Sequence, residues 1–138
     1  MSGSKYILIA EDDEDDQFLI RLAFKEVSGD IKIEFVDNGI ELLNYFNKIE
    51  SGFDSHLPSL LIVDLNMPRK NGQEALRELC NKNYFDKVPV VVFSTTGNEL
   101  ERNRCSQIGI ENYFVKPADF LQLVNMASRF VNIAGLRA

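Results

Sequence analysis

The sequence predicts an α/β domain, a doubly wound five-stranded parallel sheet in the order 2-1-3-4-5 with five helices on two faces. Three observations predict it. Five short apolar runs rich in β-branched and aromatic residues recur along 138 residues, about one domain's worth. Stretches with helical spacing separate them, and strict β-α alternation implies parallel strands with right-handed crossovers. Finally, acids, hydroxyls and one lysine follow the carboxyl ends of the runs, where open parallel sheets bind ligands.

The elements follow in chain order. Tyr6–Ala10 is the first strand, and Phe18, Leu19, Leu22 and Ala23 share a face of the helix after it. Ile31–Val36 alternates, as an edge strand with one wet face would. Ile40, Leu43, Phe46 and Ile49 mark the second helix. The polar stretch Glu50–Ser59 is longer than a usual αβ connection and is expected on the surface. Leu60–Val63 and Val88–Phe93 are continuous apolar runs, as strands buried on both faces would be. Between them a helix carries Ala75, Leu76 and Leu79. A more polar fourth helix runs from about Asn98 to Gln107, and Tyr113–Val115 is the fifth strand. The last helix carries Phe120, Leu121, Val124 and Met126 and ends near Phe130. Glycines, among them Gly72 and Gly109, fall at the seams. The reading is of a single domain over 1–138, core about 5–131, with no output domain.

Composition narrows the function classes. The 45% hydrophobic content suffices for a core, and no apolar run approaches the length of a membrane helix. With no signal-peptide pattern either, a cytoplasmic protein is expected. Fifteen basic against 21 acidic residues, a net charge of −6, argue against a nucleic-acid surface. Cys80 and Cys105 stand singly and read as small core residues. The only histidine, His56, lies in a polar stretch, which disfavours a histidine triad or metal site.

Strand 1 ends in Glu11-Asp12, strand 3 in Asp64, strand 4 in Ser94-Thr95 and strand 5 in Lys116; strands 1 and 3 flank the point where strand order reverses. Asp13 to Asp16 read as a solvated run with a helix cap. Glu11, Asp12 and Asp64 differ, because three carboxylates within roughly 6 Å repel by about 3 kcal/mol per pair at an effective dielectric near 20. Such a cluster calls for a cation, and hard oxygen ligands without His or Cys favour Mg²⁺. Asp64 is followed by Met67-Pro68, which fixes a loop, and by Gly72 before a helix.

Together, Glu11-Asp12, Asp64 with Met67-Pro68 and Gly72, Ser94 and Lys116-Pro117 resemble the receiver domains of two-component response regulators, over essentially the whole chain. The resemblance implies the flavodoxin-like form of the fold, with Asp64 as phospho-acceptor. It implies Glu11, Asp12, Asp64 and the backbone carbonyl of Asn66 as Mg²⁺ ligands. It gives Ser94 and Lys116 as contacts of the phosphoryl oxygens, Thr95 and Tyr113 as switch positions, and a cis Lys116–Pro117 bond. Asn66 and Thr96 would flank the path of a hydrolysing water. The long loop and the absent output domain are most similar to single-domain regulators that serve phytochrome-type histidine kinases.

The implied activity is that of a stand-alone phosphorelay receiver. It would accept its phosphoryl group from a histidine kinase or histidine phosphotransfer protein and signal to a downstream protein through the fourth helix, fifth strand and fifth helix. It would not be an enzyme beyond its own phosphorylation and dephosphorylation, would bind neither nucleic acid nor membrane, and would be a monomer or weak homodimer. A phosphatase of the haloacid-dehalogenase type would need a second Asp where Asn66 stands. A flavodoxin-like cofactor carrier would put its phosphate loop where Glu11-Asp12 repels phosphate. A receiver-like module that binds partners without phosphorylation stays open.

Overall fold

The computed structural model describes residues 5–50, 57–65, 72–82, 84–95 and 97–136. Most of the Glu50–Ser59 loop, with His56, lies outside them, as do Asn66, Met67, Pro68 and Thr96. The elements are β1 (Tyr6–Ala10), α1 (Glu14–Val27), β2 (Lys32–Val36), α2 (Gly39–Glu50), β3 (Leu60–Asp64), α3 (Gly72–Asn81), β4 (Val90–Ser94), α4 (Glu99–Gln107), β5 (Asn112–Val115) and α5 (Phe120–Ile133). All neighbouring strands are parallel, in the order β2-β1-β3-β4-β5. A short 3₁₀ turn at Tyr84–Asp86, unexpected from the sequence, leads into β4. That strand begins two residues late because Pro89 has no N–H for the ladder.

Alternation along buried strands divides the core between the two sheet faces. Leu8, Leu61, Val63 and Val92 meet Leu42 and Phe46 of α2, Ala75, Leu76 and Leu79 of α3, and Cys105 of α4. Ile7, Ile9, Ile62, Val91 and Phe93 meet Ile20, Ala23 and Phe24 of α1 and Ala127, Phe130 and Val131 of α5. The Phe130 ring anchors this second layer, lying edge-on to Phe93 and Phe114 at 5.8 and 5.0 Å between centroids.

Helix faces depart from the sequence reading. On α1, Phe18, Leu19 and Leu22 are exposed, Phe18 by 62%, and the buried stripe is Ile20, Ala23 and Phe24. On α2, Leu42 is buried and Ile40 is exposed. On α5, Phe120 and Leu121 are exposed, the latter by 71%, and the buried stripe lies a turn or two later, at Ala127, Phe130 and Val131. Cys105 is buried as expected, whereas Cys80 is half-buried with its Sγ 3.4 Å from the Ile108 carbonyl. No helix among the described residues is long and apolar enough to cross a membrane.

Candidate functional site

Strand register assembles the site. Ala10 pairs with Val63, so Glu11 and Asp64, the next residue on each strand, emerge side by side. Asp64 pairs with Phe93, which brings Ser94 to the same rim. Ser94 pairs with Val115, and the Lys116 N–H donates to the Ser94 carbonyl at 2.7 Å, which holds Lys116 at the end of β5.

Glu11 is fixed at three points. Its N–H donates to Val36, its carbonyl accepts from Gln17 Nε2 at 2.6 Å, and its Oε2 accepts the Asp13 N–H. Asp13 caps α1 by accepting the Asp16 N–H at 2.9 Å. The local sequence thus turns the chain from strand to helix while leaving Glu11 buried and Asp12 exposed.

One carboxylate oxygen from each of Glu11, Asp12 and Asp64 lies within 4.8 Å of the others, the close approach that the sequence predicted. At that spacing each pair of charges repels by about 3 kcal/mol at an effective dielectric near 20. Against them stands Lys116. Its Nζ donates to Glu11 Oε1 at 2.8 Å, Asp64 Oδ2 at 3.0 Å and Asp16 Oδ2 at 3.1 Å, which uses all three ammonium protons. Burial alone would pull this ammonium down, but its bonds to Glu11 and Asp64 outweigh that and hold it above the usual lysine range. Burial pushes Glu11 up to about 7; Lys116 pulls it back and the Asp64 charge adds to the rise. A buried carboxyl that Lys116 does not bring back to its ordinary range, with two further carboxylates beside it, fits a divalent ion bound through oxygen.

Ser94 is fully buried and donates to Glu101 Oε1 of α4 at 2.8 Å. Tyr113, also buried, donates to the same oxygen. Burial, then the bond to Glu101, raises the Tyr113 phenol, and the Ser94 hydroxyl opposes them. The Arg102 guanidinium lies 4.6 Å above the Tyr113 ring. Thr95 is exposed.

Glu11, Asp12, Asp64, Ser94 and Lys116 therefore meet on one rim, with Tyr113 joined to it through Glu101. The Asn66 carbonyl and Thr96 lie outside the described residues. Lys116–Pro117 is trans, contrary to the expectation, since the chain contains no cis peptide bond among the described residues; the trans chain already carries Lys116 to its three carboxylates. Asp16, Glu101 and Arg102 are site residues that the sequence reading missed. Asp16 looked like one more acid in a first helical turn, which helix N-termini attract anyway. Glu101 has the same disguise, three residues after the Asn98 cap.

The family model of the response regulator receiver domain matches residues 7–128. The response regulator Rcp1 of Synechocystis is 27% identical over 122 residues, 88% of this chain and 83% of its own. The crystal structure of the phosphorylated cyanobacterial phytochrome response regulator RcpA superposes with a TM-score of 0.83 at 28% identity, covering 94% of this chain and 93% of that one. The Mn²⁺-bound form of Rcp1 gives 0.80 at 26% identity, over 94% and 93% of the two chains.

Proposed function

Since this chain belongs to the response regulator receiver family and is a phosphorelay signalling module, we propose that Asp64 is its phospho-acceptor and that Glu11, Asp12 and Asp64 hold Mg²⁺ beside it. The observation that carries the reading is Lys116 Nζ at 3.0 Å from Asp64 Oδ2, inside the cluster of three carboxylates.

Receiver domains take their phosphoryl group from histidine kinases. In the proposed step an Asp64 carboxylate oxygen attacks the phosphorus of a phosphohistidine; the P–O bond forms as the P–N bond breaks, and the imidazole leaves with the electron pair. Such transfers need positioning and charge neutralisation more than covalent help. Lys116 shifts one of its three donors from Asp64 to a phosphoryl oxygen, and Ser94 supplies a hydroxyl donor to another. Bound Mg²⁺, with the Asn66 carbonyl as a further ligand, would supply positive charge where negative charge gathers. Rcp1 has a Mn²⁺-bound form, which supports binding of a divalent ion by this chain.

We further propose that the chain acts as a receiver in the cytoplasm, as a monomer or weak homodimer, catalysing nothing beyond its own phosphorylation and dephosphorylation. Its signal would leave for a downstream protein through the α4, β5 and α5 surface around Tyr113. The likeness to RcpA makes phytochrome-type histidine kinases the first partners to try. The test is labelling by acetyl phosphate or a candidate kinase, read by intact-protein mass spectrometry. Wild type should gain one phosphoryl group in Mg²⁺ and none in EDTA, and Asp64→Asn none in either. Undiminished labelling of Asp64→Asn would sink the assignment.

A further inference from the structure

The hydroxyl of Ser94 has one proton to donate, and two of the acceptors that can compete for it bear on signalling. One is a phosphoryl oxygen on Asp64. The other is Glu101 Oε1, 2.8 Å away, which already holds it. The same carboxylate oxygen accepts the Tyr113 hydroxyl, so a single atom of α4 joins the ends of β4 and β5.

Local helix chemistry does not account for this arrangement. Asn98 caps α4 by accepting the Glu101 N–H at 3.1 Å. An acid three residues after a cap ordinarily turns back toward the cap's own N–H. The Glu101 side chain instead reaches inward to two buried hydroxyls from a helix whose buried residue is Cys105. Arg102, the next residue, covers the Tyr113 ring at 4.6 Å, so two consecutive residues of α4 address the same tyrosine.

We propose that Glu101 is a positioning residue that keeps the Ser94 hydroxyl engaged until a phosphoryl group on Asp64 captures it, thereby tying phosphorylation to Tyr113 and α4. The inference rests on Asp64 being the acceptor. Donation to the phosphoryl oxygen and donation to Glu101 exclude each other. Phosphorylation therefore breaks the Ser94–Glu101 bond and leaves Tyr113 as the remaining hydroxyl donor to that oxygen. Glu101 thus taxes the phosphorylated state and, in return, makes α4 sense it.

Titration with beryllofluoride, a phosphoryl mimic, in excess Mg²⁺ tests this, followed by amide NMR. The proteins are wild type, Glu101→Ala, Glu101→Gln, Ser94→Ala and the Ser94→Ala/Glu101→Ala pair. Loss of a competing charge-assisted hydrogen bond should make Glu101→Ala bind roughly 10-fold tighter. Glu101→Gln, nearly isosteric and still an acceptor, should fall between and guards against a folding defect. In the Ser94→Ala background the gain should shrink to less than about twofold, because residues in contact couple. Beryllofluoride-induced shifts at Tyr113 and Arg102 should shrink in Glu101→Ala. Unchanged or weaker binding by Glu101→Ala, or an equal gain with and without Ser94, overturns the role of Glu101 alone. Absence of binding by wild type overturns it together with the acceptor reading.

Discussion

Glu11 is the residue at which fold and site conflict most. Its backbone is tied to β2 and α1, which keeps the carboxyl buried, and burial with the Asp64 charge lifts it to about 7 despite Lys116. In the unfolded chain it returns to about 4.5. Between those values the folded protein binds more protons at this position than the unfolded one, so this contribution to stability is lost as pH rises from about 4.5 to 7. Glu11→Gln removes the titration while keeping the shape. In EDTA, the stability of wild type relative to Glu11→Gln should therefore fall over that window and flatten above it. Urea denaturation of both proteins at several pH values measures the difference, and a difference that rises with pH contradicts the assignment. At this scale the sequence disclosed the groups that end strands: Glu11, Asp12, Asp64, Ser94 and Lys116. Asp16 and Glu101 were hidden because an acid in a first helical turn has an ordinary explanation, and only the fold shows where its side chain goes.

Among the elements, α3 begins at Gly72, a position that leaves no room for a side chain. A Cβ on Gly72 would stand 2.5 Å from the Asp64 carbonyl and 2.7 Å from Val63 Cγ1, backbone and buried side chain that cannot both move aside. Gly72→Ala should cost about 1–3 kcal/mol, as overpacked positions do, and should slow labelling of Asp64 because the displaced backbone is the acceptor's own. Thermal melting and labelling rates check the two parts, and a variant equal to wild type in both would remove the constraint. The strands were legible because continuous runs such as Leu60–Val63 have no reading but burial on both faces. The faces of α1 and α5 were not. Both helices carry more apolar residues than one stripe can hold, and periodicity does not say which stripe meets the sheet. Helical spacing puts Phe18 and Leu121 on the apolar faces, whereas Phe24 and Phe130, 6.3 Å apart between ring centroids, occupy the space against the sheet. Pro89 shortened β4 for a reason visible in sequence, and Gly109 takes φ +92° at the seam where a turn was expected.

Taken whole, the molecule brings Glu11, Asp12 and Asp64 within 4.8 Å of one another at one end of the sheet, though its net charge is already −6. Asp64 lies far along the chain from Glu11 and Asp12, so unfolding separates the charges and much of their repulsion belongs to the fold. Asp64→Asn removes one charge almost isosterically. Lys116 keeps Glu11 and Asp16 as partners and can still donate to the Asn carbonyl. The metal-free variant should consequently be more stable than metal-free wild type by about 1–3 kcal/mol, on the scale of the pair repulsions less what Lys116 offsets. For a domain of this length that corresponds to a melting temperature higher by about 2–8 °C. Divalent ions that bind only the assembled cluster stabilise the fold by mass action, by about 2.7 kcal/mol at a hundred times the dissociation constant. Millimolar Mg²⁺ or Mn²⁺ should therefore raise the melting temperature of wild type, and raise that of Asp64→Asn less, because one ligand charge is gone. Melts of both proteins in EDTA and in each ion provide the comparison. Should Asp64→Asn melt below wild type in EDTA while neither ion shifts either protein, the three acids do not act as one metal-binding cluster.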